Sequence, residues 1–156
     1  MKRYDIYISA PLFNEMEIRF NEEVASFLDR KGFSTYLPQR DGGEDEMLLK
    51  DQKLWPVLYN FVIKRVFERD VNALKDSSAL LMIMDGRVPD EGACVELGMA
   101  YAYGKICIGF QTDTRSFATG QNNLMLDHSF SYSIVRNWNE LDKLLVKIKG
   151  DIKRDF

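Results

Sequence analysis

The run ALLMIMDGRVPDEGACVELGMAYAYG, residues 79–104, decides the fold. It opens on six apolar residues, Ala79 to Met84, which read as a short strand buried on both faces. Asp85 to Asp90, with Gly86 and Pro89, reads as a loop. Glu91 to Tyr103 reads as a helix: Asp90 stands where an N-cap belongs, Glu91 lies in the first turn, and Gly104 stops it. Ile106 to Phe110 is apolar and β-branched again. Strand, helix and strand in succession make a βαβ unit, which requires parallel strands.

The same alternation extends outward. Upstream, Tyr4 to Ala10 is a β-branched and aromatic strand closed by Pro11. Met16, Phe20, Val24, Phe27 and Leu28 then fall at helical spacing between Glu15 and Lys31, with Gly32 as the stop. Phe33 to Leu37 is a second strand ended by Pro38, and Gln39 to Glu46 is a polar loop. Asp45 to Lys75 is helical in character but broken at Pro56, so a short helix before Trp55 and a longer one after it are expected. Downstream, Gln111 to Asp127 is a long loop of Thr, Ser, Gly and Asn, a length that points to function or to a partner. Ser131 to Val135 reads as a fifth strand. Asn137 and Glu140 form a capping-box variant for a last helix from Trp138 to Lys149. These elements predict an α/β chain: a flavodoxin-like or Rossmann-like open sandwich, with a five-stranded, mostly parallel sheet and helices on both faces. The length of 156 residues predicts a single domain over 1–156.

Composition narrows the chemistry. Twenty-one Lys plus Arg against 24 Asp plus Glu give a net charge of -3, a poor basis for sequence-independent nucleic-acid binding. Two cysteines and one histidine exclude the four-cysteine, two-cysteine-two-histidine and three-histidine zinc sites within one chain. No stretch has the length of a membrane span or a signal-peptide core, so a cytoplasmic protein with reduced Cys94 and Cys107 is expected. The nucleotide-binding glycine fingerprints are missing, and His128 has no nucleophile elbow to serve.

Ligands of open α/β sheets bind at the carboxyl ends of the strands, and acid stands out there. Capping and dipole compensation account for Glu91. Glu96 is different. Its helical neighbours Gly92, Ala93, Met99, Ala100 and Tyr103 are small or apolar and offer no Lys or Arg. Its carboxylate is therefore either solvent-exposed or the floor of a pocket, with Gly92 and Ala93 leaving room for a ligand. Asp70, late in the preceding helix, is a second candidate. If Asp70, Asp90 and Glu96 converge, mutual repulsion raises at least one pKa, and an acid and a nucleophile can coexist. Retaining glycosyl transfer divides labour that way.

The pattern Asp90-x-Gly92-x-x-x-Glu96-Leu97-Gly98, preceded by Asp70, resembles the nucleoside 2-deoxyribosyltransferases. Tyr7 with the following Ser9-Ala10-Pro11-Leu12-Phe13 resembles that family's first strand and loop, and Asn123-Leu124-Met125 resembles its Asn-x-Met segment. The resemblance implies exchange of the base of a 2'-deoxynucleoside for a free nucleobase, with no metal or organic cofactor. It implies Glu96 as the nucleophile toward C1', Tyr7 as the group that orients it, and Asp70 and Asp90 as substrate contacts, one of them a proton donor to the leaving base. Phe13, Gln39, Gly92, Asn123, Met125 and the terminal Phe156 match, with varying closeness, its substrate-binding positions. It further implies a homo-oligomer, commonly a hexamer, in which Asn123 and Met125 complete a neighbour's site. Two alternatives accompany it: an N-glycosidase acting on 2'-deoxynucleoside 5'-monophosphates, where water replaces the acceptor base, and a nucleotide-binding module without turnover.

Overall fold

The first strand, β1 (Tyr4–Ser9), lies inside a four-stranded sheet of order β2-β1-β3-β4, flanked by β2 (Thr35–Tyr36) and β3 (Ser77–Ile83), with β4 (Ile106–Phe110) at the far side. All three pairings are parallel. The structure is a computed structural model and describes residues 4–43, 55–86, 88–113 and 122–154. The short helix expected before Trp55, the middle of the long loop and Phe156 lie outside the described residues.

Strand residues alternate between two cores, as the pleat requires. Ile6, Ile8, Leu81, Ile83, Ile108 and Phe110 face one side. There they meet α1 (Glu15–Arg30) through Val24 and Leu28, and the last helix through Leu141, Leu145, Ile148 and Ile152. Tyr7, Leu80, Met82, Met84 and Cys107 face the other side. They meet α3 (Trp55–Lys75) through Ala73 and Leu74, and α4 (Glu91–Ala102) through Ala93, Leu97 and Ala100. Helices therefore cover both faces of a parallel sheet, as the alternation predicts.

The helix ends follow local chemistry. Asn14 accepts from the backbone N–H groups of Met16 and Glu17, and Glu17 returns a bond to the Asn14 N–H, a complete capping box for α1. Asp90 caps α4 by accepting from Ala93 N–H at 2.8 Å. Asn137 accepts from Glu140 N–H at 3.0 Å and opens the last helix, α6 (Trp138–Arg154), which runs past the expected Lys149. The polar stretch after β2 holds a four-residue helix, α2 (Pro38–Asp41), and a similarly short α5 (Leu124–Asp127) follows the long loop.

One expectation is corrected. Ser131 to Val135 is not a fifth strand; the only bridge there joins Phe110 to Val135 in parallel. Ser131 N–H donates to the Cys107 carbonyl at 2.8 Å while Cys107 N–H donates to the Ser131 hydroxyl at 2.9 Å, so the segment touches β4 at both ends without forming a continuous ladder. Phe130 and Ile134 both press on Gly109, where an added Cβ would meet them at 3.0–3.2 Å. Packing side chains under β4 has replaced regular pairing along it. No described helix is long and apolar enough to cross a membrane.

Candidate active site

β1 aims two side chains at α4. Tyr7 and Ser9 are two residues apart and so share a face of the strand. The Tyr7 hydroxyl donates to Glu96 Oε1 at 2.6 Å, and the Ser9 hydroxyl donates to Glu96 Oε2 at 2.5 Å. Both oxygens of the carboxylate are thereby held by the sheet. Both donors are fully buried.

Burial pushes the Glu96 pKa up to about 7, the bonds from Ser9 and Tyr7 pull it back, and the charges of Asp70 and Asp90 add to the rise. Tyr7 is driven far above its ordinary value by burial and by the Glu96 charge, so it stays a neutral phenol and a permanent donor. The result is a carboxylate that is ionised in part at neutral pH, fixed in direction and poor in compensating cations. Those are the properties of a nucleophile or of a general base.

Asp70 and Glu96 line one cavity of about 240 Å³, together with Phe67, Gly92, Val95 and Met99. Asp90, the cap of α4, is not among its lining residues. Gly92 is tight against it: a Cβ there would meet Asp90 Oδ2 at 3.0 Å. A larger cleft of about 440 Å³ opens between α1 and the loops after β3 and β4, but none of Tyr7, Asp70, Asp90 or Glu96 lines it.

The remaining candidates are placed differently. Phe13 is exposed at the start of α1. The Gln39 carboxamide is engaged with α1, donating to the Ile18 carbonyl at 2.8 Å and accepting from Asn21 at 2.9 Å. Asn123 caps α5 by accepting from Met125 N–H, and Met125 is exposed.

Three residues around the cavity were not singled out in the sequence for what they do there. Ser9 holds the nucleophile candidate. Tyr36 donates to Asp70 Oδ1 at 2.7 Å, and Arg69 donates to the same oxygen through Nε and Nη2 at 3.1 Å each. The signal for Ser9 is its period-two relation to Tyr7. For Tyr36 it is the register that sets it opposite Tyr7.

Comparison with solved structures returns the same scaffold. A 2-deoxyribosyltransferase from Bacillus psychrosaccharolyticus aligns with TM-score 0.68 and 23% identity, over 88% of this chain and 89% of that one. A 2-deoxyribosyltransferase from Leishmania mexicana aligns with TM-score 0.62 and 20% identity, over 91% and 96%. A CMP N-glycosidase from Clostridium botulinum aligns with TM-score 0.51 and 19% identity, over 93% and 99%. Identities this low speak for the fold. Among curated proteins, none matches the chain. The model of the nucleoside 2-deoxyribosyltransferase family matches residues 6–129, a span that takes in β1, Asp70, Asp90, Glu96 and the Asn123 segment, and the chain belongs to that family.

Proposed function

We propose that the protein is a nucleoside 2-deoxyribosyltransferase that exchanges the base of a 2'-deoxynucleoside through a deoxyribosyl ester on Glu96. The observation that carries this reading is the double hold on Glu96, one oxygen bonded by Tyr7 and the other by Ser9, beside a cavity that also reaches Asp70. In the first step a Glu96 oxygen forms a bond to C1' as the C1'–N bond to the base breaks. The departing base takes a proton from Asp70 or Asp90. In the second step a nitrogen of the incoming base bonds to C1' and gives up its proton to the carboxylate that protonated the leaving base, the ester C–O bond breaks, and Glu96 recovers its carboxylate. Two inversions retain the configuration, and splitting the displacement lowers each barrier.

Gly92 lies on the cavity wall, where a backbone without Cβ leaves room for the sugar. Phe13, Gln39, Asn123, Met125 and Phe156 extend the proposed substrate-binding set. We assign the working unit to a homo-oligomer, a hexamer by the family resemblance, with Asn123 and Met125 offered to a neighbour. The exposure of Leu124 and Met125 at 67% and 71% supports that role.

Hydrolysis of a nucleoside monophosphate is the alternative on this scaffold. Ser9, the hydroxyl that a phosphate cradle after β1 would use, is bonded to Glu96 instead, which favours exchange. The test incubates the protein with a deoxynucleoside and a second free base. Formation of the exchanged deoxynucleoside, with a deoxyribosyl mass on the peptide containing Glu96, supports the reading. Released deoxyribose or deoxyribose phosphate without exchange would sink it in favour of hydrolysis.

A further inference from the structure

Among the described residues, Asp70 is held from one side only. Its Oδ1 takes three donors: the Tyr36 hydroxyl at 2.7 Å, and Arg69 Nε and Nη2 at 3.1 Å each. Arg69 is itself anchored, since Nε also donates to the Tyr36 hydroxyl at 3.0 Å and Nη1 donates to the Gly42 carbonyl. An oxygen with three donors has no lone pair left for a fourth partner. Asp70 nevertheless lines the cavity that Glu96 floors. Tyr36 also touches the other half of the site. Its ring stacks on Tyr7 with centroids 5.3 Å apart and planes at 22°, and the two residues are register partners on neighbouring strands. Tyr36 is buried, so its ring is confined.

We infer that Tyr36, with Arg69, is a positioning residue that saturates Asp70 Oδ1 and leaves Oδ2 as the one oxygen through which Asp70 exchanges a proton or a hydrogen bond with the substrate. The substrate group that meets it is a hydroxyl or a ring N–H when Asp70 is ionised, and a base nitrogen lone pair when Oδ2 carries the proton. Through its stack on Tyr7, the same ring fixes the phenol that orients Glu96. One side chain thus sets the geometry of both carboxylates, by a hydrogen bond to one and by ring contact to the holder of the other.

The kinetic arm of the test rests on the exchange reading; the spectroscopic arm does not. Tyr36→Phe keeps the ring and its stack but removes the hydroxyl. Tyr36→Leu removes both. For Tyr36→Phe the expected result is a fall of about tenfold in kcat with KM within twofold, because the group misplaced acts on the reacting atoms. The limb of the pH–rate profile that reports Asp70 moves to higher pH, since the ionised carboxylate has lost a donor. Tyr36→Leu falls further, because Tyr7 is then released as well. In parallel, carbon-13 NMR of labelled Asp side chains follows Asp70 directly, and its midpoint moves to higher pH in Tyr36→Phe whether or not turnover is seen. Wild type that gives neither exchange nor hydrolysis would refute the proposed function alone. An unmoved Asp70 midpoint, or a Tyr36→Phe variant with wild-type kcat in an active protein, overturns the positioning role. Equal losses in Tyr36→Phe and Tyr36→Leu would also overturn it, since only the ring would then matter.

Discussion

Tyr7 and Glu96, 89 positions apart in sequence, meet at 2.6 Å, phenol to carboxylate. The bond joins the strand that anchors the sheet to the helix that carries the acid. Loss of the phenol in Tyr7→Phe leaves Glu96 Oε1 without its donor. We expect kcat for exchange to fall by about 10- to 100-fold, with the melting temperature little changed, because the ring and its stack remain. A rate unchanged from wild type would remove Tyr7 from the mechanism.

Glu96 also governs the pH profile. With its pKa near 7 and attack requiring the ionised form, the Glu96 limb of kcat/KM should rise about tenfold per unit up to pH 7. A profile already flat from pH 5 would contradict this. Ser9→Ala removes the donor to Oε2. The pKa then climbs, and the loss of activity at pH 7 should be partly recovered at pH 9.

The same shift acts on stability. The folded protein holds the Glu96 proton to a higher pH than the unfolded chain, whose carboxyl has the ordinary value of 4.5. The contribution is fully present below pH 4.5 and is lost as pH rises through about 7. Above that, the buried charge costs on the order of 3 kcal/mol. Glu96→Gln should therefore abolish exchange while raising the unfolding free energy relative to wild type at pH 8, and much less at pH 4. Equal stability differences at both pH values in denaturant titrations would refute the burial argument.

Gly92→Ala tests the space beside the cap. Alanine suits a helix better than glycine by about 1 kcal/mol, so stability should hold or improve. The new methyl would crowd Asp90 Oδ2, however, and kcat/KM should drop severalfold. An active and stabilised variant would show that Asp90 tolerates displacement.

Asp5 offers a contrast at the opposite end of β1. It is buried and accepts from Ser34 N–H at 2.7 Å, from the Ser34 hydroxyl at 3.1 Å, and from Lys153. Asp5→Ala should cost about 2 kcal/mol by stranding these donors. Activity per folded molecule should stay at wild type. A specific-activity loss larger than the unfolded fraction explains would contradict a purely structural role.

The legible parts of the molecule were those written in local patterns. Ala79 to Met84 marked a strand buried on both faces because all six residues are apolar, and Asp90 marked a cap because a helix start needs an acceptor. Glu96 stood out because its helical neighbours lacked any cation. The fifth strand misled because Ser131 to Val135 has the composition of a strand, while pairing depends on how the segment meets β4, where Phe130 and Ile134 pack on Gly109 and a single bridge forms at Phe110. The Tyr36 and Arg69 grip on Asp70 was illegible for a related reason. It depends on β2 lying next to β1, and strand order is a property of the whole sheet.

That order has one more consequence. β1 is bonded to β2 on one side and to β3 on the other, so its residues cannot slide without shearing two ladders at once. The aim of Glu96 is inherited from a strand that is held on both sides. The cavity wall is built from two helices, so residues such as Phe67, Val95 and Met99 can change while the strand keeps the Glu96 carboxylate where it is.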